Sequence, residues 1–355
     1  MNALALEPKV ISLANTLGVS GGDAVTAIRD YCIKRIQTLT RSARSSLRTI
    51  GDLQRVLCEK LNLTIHEVWS DAELGQIVGS YVARGEMVFA YLQCDLDANT
   101  YGVLIRLNQR VGKQYAWVAV VDCRGEKRHR RFFTAWHEIV HCITAADQYE
   151  LPFRRTIIGR KPSDPLERLT DVIAGDVAFF DPIFRPHLDA EAARDANLTF
   201  ETVERIRDRF CPEASFESTL NACVARYTQP ALFLKAGMIL KSAEQAALDS
   251  PQKEFFKAPA PRPQLRVINT IRNEAARKIG LHIPPHFRIP GSSVITDTFR
   301  AGSGTTTHSL APESLATWMT SGGKKLPALK VNVVARKIGE EVFALLSTQP
   351  YACRT

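Results

Sequence analysis

Arg130-Arg131-Phe132-Phe133-Thr134-Ala135-Trp136-His137-Glu138-Ile139-Val140-His141 is the stretch on which the fold of this chain turns. Its last five residues read H-E-x-x-H. On a helix, residues i and i+4 share a face, so His137 and His141 present their imidazoles one turn apart, where both can hold one metal ion. Glu138 follows the first histidine and is placed to act as general base toward the water that such an ion activates. Phe132, Phe133, Trp136, Ile139, Val140 and Ile143 surround the motif. That apolar content predicts a packed helix rather than a surface helix with two hydrated histidines.

A catalytic zinc takes three protein ligands and keeps a fourth position open. Residues 166–178 are helical in pattern, with Pro165 just ahead and Pro182 beyond, which suits helix start and stop rules. Glu167 and Asp171 are spaced i and i+4 in this segment. Glu167 is the expected third ligand, and Asp171 can orient a ligand histidine through its far nitrogen. Two other readings stay open: Asp171 as the ligand, or Glu167 as an exposed first-turn glutamate favoured by the helix dipole.

These two segments resemble the ImmA/IrrE family of metallopeptidases, whose helix reads F-T-x-A-H-E-x-x-H and is followed by E-x-x-A-N-x-F-A-x-x-L-L-x-P. Phe133, Thr134, His137, Glu138 and His141 match the first pattern; Glu167, Ala174 and Pro182 match the second. Trp136, Val140 and Thr170-Asp171 depart from it without removing a ligand. The resemblance covers about residues 50–190 and fades toward 245. It implies a zincin-like metallopeptidase core, one Zn2+ per chain, and cleavage of a partner protein, a helix-turn-helix transcriptional repressor, on a stress or DNA-damage signal. Some similar proteins, the CapP type, stand beside anti-phage signalling operons.

The chain has 355 residues, a net charge of +9 and 45% hydrophobic residues, ordinary for a globular protein of more than one domain. No apolar run of about 18 residues is present, and residues 1–7 lack a signal peptide's basic start, so a cytoplasmic location without membrane partners is expected. Eight cysteines are scattered without a C-x-x-C pair, which reads as reduced core thiols. Cys94 or Cys123, ahead of the motif, is a candidate inhibitory ligand for the open zinc position. Arg124, Lys127, Arg128, Arg130 and Arg131 precede the motif, and Arg154, Arg155, Arg160 and Lys161 follow it. They read either as a solvated surface or as a phosphate-tracking face, with single-stranded DNA the candidate partner.

In chain order, residues 1–61 read as helices packed on the core, with Asp52 a candidate N-cap. Residues 62–190 hold the metallopeptidase core. There, 64–69, 86–92, 101–107 and 115–121 are rich in β-branched and aromatic residues and predict a small antiparallel sheet behind the zinc helix. An extended substrate could add to its edge strand. The connection from Gln148 to Pro165 reads as a mobile lid or a substrate loop, and Tyr149, His187 and Tyr101 are candidate oxyanion stabilisers. Residues 191–249 read as a helical segment, either helix-turn-helix-like or a plain packing pair. The proline-rich stretch 250–264 reads as a linker, and 265–355 as a small α+β module. In that module a helix is expected through 267–276, extended chain at 293–299, a short helix at 312–318 and strands at 329–335 and 341–346. By resemblance to the family, it is a GAF-like sensor. The overall fold class is α+β.

Overall fold

The computed structural model describes residues 3–19, 21–111, 114–144, 153–156, 164–249, 261–318 and 325–348. The chain is a mixed α+β protein divided into two units: Met1–Arg185 with Asp208–Ser215, and Pro186–Arg207 with Phe216–Thr355.

The first unit begins with three helices, α1 (Pro8–Thr16), α2 (Ala24–Leu39) and α3 (Ile50–Leu61). Local chemistry fixes their ends. Pro8 opens α1, the Asp23 side chain accepts from Thr26 N at the start of α2, and Asn62 in the left-handed region ends α3. The α3 cap is Thr49 rather than Asp52. Asp52 is its reciprocal partner, accepting from the Thr49 amide while Thr49 Oγ1 accepts from the Asp52 amide. As expected, these helices pack on the core helices described next.

The chain continues through β1 (Leu63–Val68), α4 (Asp71–Val82), α5 (Leu92–Asp95), β2 (Thr100–Val111), β3 (Gln114–Asp122), α6 (Arg131–Thr144), β4 (Phe153–Thr156) and α7 (Pro165–Val177). The strands form one sheet in the order β1-β3-β2-β4. It is mixed rather than antiparallel, because β1 runs parallel to β3 while β2 is antiparallel to both β3 and β4. Residues 86–92, expected as a strand, form a 3-10 turn over Met87–Tyr91 that leads into α5. Phe89, Leu92 and Leu96 recur at helical spacing and are buried, while Met87 and Tyr91 face out.

The second unit comprises α8 (Asp181–Arg194, entering from the first unit), α9 (Phe200–Phe210), α10 (Phe216–Arg226), β5 (Ala231–Ile239), α11 (Ser242–Asp249), β6 (Gln264–Arg272), α12 (Glu274–Lys278), α13 (Val294–Arg300), β7 (Thr306–His308), β8 (Glu313–Ser314), β9 (Lys330–Ile338) and β10 (Glu341–Ser347). Its main sheet runs β6-β5-β10-β9-β7. Five expectations change here. Residues 231–239, read as helical, are a central strand buried at Ala231, Leu232, Phe233 and Leu234 without alternation. Residues 264–272 are the strand beside it rather than a helix. Residues 294–300 are a helix rather than extended chain, opened by the Ser293 hydroxyl accepting from Ile295 N. The proline-rich stretch therefore joins two paired strands and is not a domain boundary, although most of it lies outside the described residues. The expected short helix at 312–318 shrinks to β8 and a 3-10 turn over Leu315–Thr317.

The α9–α10 pair is present, but α10 buries Thr219, Leu220, Ala222, Cys223 and Val224 and packs on β5 and β6. At the start of α9, Glu201 and Glu204 are held by Arg336 at 2.7 and 2.6 Å. No helix among the described residues is long and apolar enough to cross a membrane.

Candidate metal centre

Helix α6 is buried from Thr134 to Thr144 without a break. At about 100° per residue, Ala135 lies on the side toward β1 and β3, clustered with Ile65 and Val121. Glu138 and Thr134 come next around the helix and lie under β2, where Gly102 passes so closely that a Cβ there would sit 2.8 Å from Glu138 Oε1 and 2.7 Å from Thr134 Cγ2. His141 and His137 follow and face α7. The opening proline and the Asp164 cap, whose carboxylate accepts from Leu166 N at 2.9 Å, start α7 so that Glu167 falls in its first turn.

Three donors converge. His137 Nε2 lies 2.9 Å from His141 Nε2 and 3.1 Å from Glu167 Oε2, and His141 Nε2 lies 3.3 Å from Glu167 Oε1. For tetrahedral zinc with Zn–N bonds of ~2.0–2.1 Å, neighbouring ligand atoms sit roughly 3.3 Å apart, so the triad needs only small movements to close on an ion. Two imidazole nitrogens and one carboxylate are also the donor types zinc takes. The triad is the group of potential metal ligands found among the described residues.

The electrostatics suit a ligand set. Burial depresses the pKa of His141 despite its contact with Glu167, which favours the neutral, coordinating imidazole. Burial pushes the Glu167 carboxyl up, but hydrogen bonds from His137 and then His141 more than reverse this and hold it at about 2. Asp171 Oδ1 lies 2.9 Å from His137 Nδ1, on the ring edge away from the triad. Glu167 thus lies with the two Nε2 atoms, while Asp171 meets the far nitrogen of His137.

The other candidates are not part of the ligand cluster found among the described residues. Cys94 is exposed on α5. Cys123 is buried after β3, its thiol directed at Val121 O at 3.7 Å and pushed by burial to about 12. Neither belongs to the ligand cluster. Tyr101 adjoins Gly102 on β2, where Arg130 lies 4.8 Å and Lys127 6.0 Å from its ring centre. His187 falls in the second unit, and Tyr149 lies outside the described residues.

The basic cluster before α6 is largely consumed by structure. Asp122 accepts from Arg124 Nε at 2.8 Å and Lys127 Nζ at 2.6 Å, while Arg131 pairs with Glu67 at 3.1 Å and with Glu213. Lys127 Nζ also donates to the carbonyls of Asp97 at 2.5 Å and Thr100 at 2.9 Å, which ties the start of β2 to the base of the site helix. Of the second cluster, Arg160 and Lys161 lie outside the described residues. Sequence reasoning missed the roles of Gly102 and Asp122. A glycine inside the apolar run 101–107 is the signal that pointed to a close backbone approach.

No family model matches the chain, and no curated protein matches it. Among solved structures, a chain titled "Mycobacterium tuberculosis transcriptional regulator" superposes with a TM-score of 0.42 at 12% identity, covering 96% of this chain and 80% of that one.

Proposed function

We propose that this chain is a zinc metallo-endopeptidase with a zincin-like core of the ImmA/IrrE type. One observation carries the reading: the Nε2 atoms of His137 and His141 and the Glu167 carboxylate converge while the carboxylate of Glu138 is buried beside them under β2. His137, His141 and Glu167 would hold the ion, which supplies Lewis acidity that acidifies water and polarises a carbonyl. Glu138 takes the proton from the attacking water and returns it to the leaving amine. Asp171 fixes the ring plane and tautomer of His137 by accepting from Nδ1. Gly102 lets β2 roof Glu138 at contact distance, which keeps bulk water from that side of the carboxylate. The substrate is another polypeptide; following the family resemblance, a helix-turn-helix repressor is the first to test, with single-stranded DNA as a candidate activator. The second unit, with its own sheet and apolar core, takes the sensory role that the GAF-like resemblance implies.

The test is zinc content and cleavage measured on the same preparations. Wild type should carry about one zinc per chain and cut the partner. Glu138→Gln should keep the zinc and lose cleavage. Wild-type cutting rates in Glu138→Gln, or a chain that takes up no zinc when offered it, would overturn the proposal.

A further inference from the structure

Strand β4 is the last strand of its sheet and pairs antiparallel with β2 through Thr100↔Thr156, Gly102↔Arg155, Val103↔Arg154 and Leu104↔Phe153. The paired stretch of β2 is the one that roofs Glu138. Around α6 the sequence of positions is Ala135 under β3, Glu138 under β2, then His141 and His137. The next place in the sheet beyond β2 is therefore on the histidine side of Glu138, and β4 holds it.

Neighbouring strands lie about 4.8 Å apart. Glu138 Oε1 is already in contact with the β2 backbone at Gly102, so a strand one place from β2 lies within reach of the carboxylate through a single water. A strand added outside β4 would lie about 10 Å from β2, too far for the same carboxylate to serve it. An extended chain presented to Glu138 must take the place that β4 occupies.

We propose that β4 is an internal placeholder strand: it occupies the β2 edge at which an extended polypeptide substrate adds, and it must leave that edge before cleavage. The substrate class is an extended chain running antiparallel to β2, held by main-chain hydrogen bonds at Gly102–Leu104. The cleavage part rests on the peptidase reading; the strand exchange does not.

The test uses the full chain with Arg154→Pro and Arg155→Pro together, which removes one β4 amide hydrogen directed at β2, since adjacent amides point to opposite sides of a strand, and a second variant with residues 153–156 replaced by glycines. Circular dichroism checks that both fold. Hydrogen exchange is followed at the amides of 102–104 that face away from β3, with and without a synthetic peptide carrying residues 153–158. Zinc-loaded protein is assayed in parallel on fluorescently labelled reduced casein, an unstructured probe. The expected result is exposure of those amides in the variants, restored protection when the peptide is added, and casein cleavage several-fold faster than in the parent. If the peptide restores protection and zinc-loaded parent and variants all fail to cut, the strand exchange stands and the peptidase reading falls. If the peptide leaves the opened edge unprotected, or protects β4 in the parent instead, the placeholder role is overturned. It is equally overturned if the parent cuts casein and the opened variants cut no faster.

Discussion

Asp171 and Glu167 approach opposite edges of one imidazole: Asp171 Oδ1 is 2.9 Å from His137 Nδ1, and Glu167 Oε2 is 3.1 Å from His137 Nε2. One turn of α7 thus separates a carboxylate that joins the ligand cluster from one that orients it. The side chain of Glu167 is 20% exposed and that of Asp171 45%, consistent with an inner and an outer position.

Zinc affinity should separate the two roles. Glu167→Ala removes one of three donors and should abolish stoichiometric zinc. Asp171→Ala leaves all three and should weaken zinc by about 10–100-fold, the usual cost of losing a carboxylate behind a ligand histidine. Titration against a competing chelator reads both. Stoichiometric zinc in Glu167→Ala with loss in Asp171→Ala would exchange their roles.

Gly102 offers a sharper probe of how β2 and α6 fit together. A methyl group there would meet Glu138 Oε1 at 2.8 Å and Thr134 Cγ2 at 2.7 Å, so the strand or the carboxylate must move. Gly102→Ala should cost about 1–3 kcal/mol of stability, the range for overpacking a filled interior. Because the ligand cluster lies further around the helix, zinc should be retained while cleavage falls. Denaturant unfolding, zinc analysis and a cleavage assay on one preparation check this. Unchanged cleavage would show that the roof over Glu138 is looser than the structure has it.

The site helix was legible in the sequence because its signals are local. The His137–His141 spacing, the apolar residues between them and the Pro165 start of α7 each act within one or two turns. The sheet was less legible because its pairing is not local. Nothing within 64–69 says that β1 runs parallel to β3, and nothing within 231–239 distinguishes a strand buried on both faces from a buried helix. Residues 86–92 misled through composition: their aromatic and β-branched content is strand-like, yet Phe89 and Leu92 are buried at helical spacing. The ion pairs of the basic cluster before α6 were not legible either, because the carboxylates it meets, Asp71, Glu67 and Glu213, lie far off in the chain, and only Asp122 is close.

The cysteines should be silent at the metal centre. Cys94 is exposed on α5, Cys123 is buried with its thiol directed at Val121 O, and neither belongs to the ligand cluster found among the described residues. Cys94→Ser and Cys123→Ser should each keep wild-type zinc content and, in the folded protein, wild-type cleavage. A several-fold gain of cleavage in either variant would revive the inhibitory-ligand reading of these thiols.

Asp122 links stability to pH. Burial pushes its carboxyl up, but hydrogen bonds from Arg124 and then Lys127 outweigh this and hold its pKa below the ordinary value. The ionised carboxylate therefore contributes stability that is complete above the unfolded-chain pKa of about 3.9 and is lost as pH falls through the lower folded value. Asp122→Asn leaves Arg124 and Lys127 without their buried partner. Losing one member of a buried pair costs ~3–5 kcal/mol; the lower end applies here, since the two cations are 26% and 15% exposed and regain some hydration. Lys127 also holds the carbonyls of Asp97 and Thr100, so the start of β2 should loosen with it. Urea unfolding of wild type and Asp122→Asn should show a difference that is constant from about pH 7 to 5 and shrinks below about pH 4. A difference independent of pH down to about pH 2 would mean that the charge of Asp122 contributes nothing and that only its shape is needed.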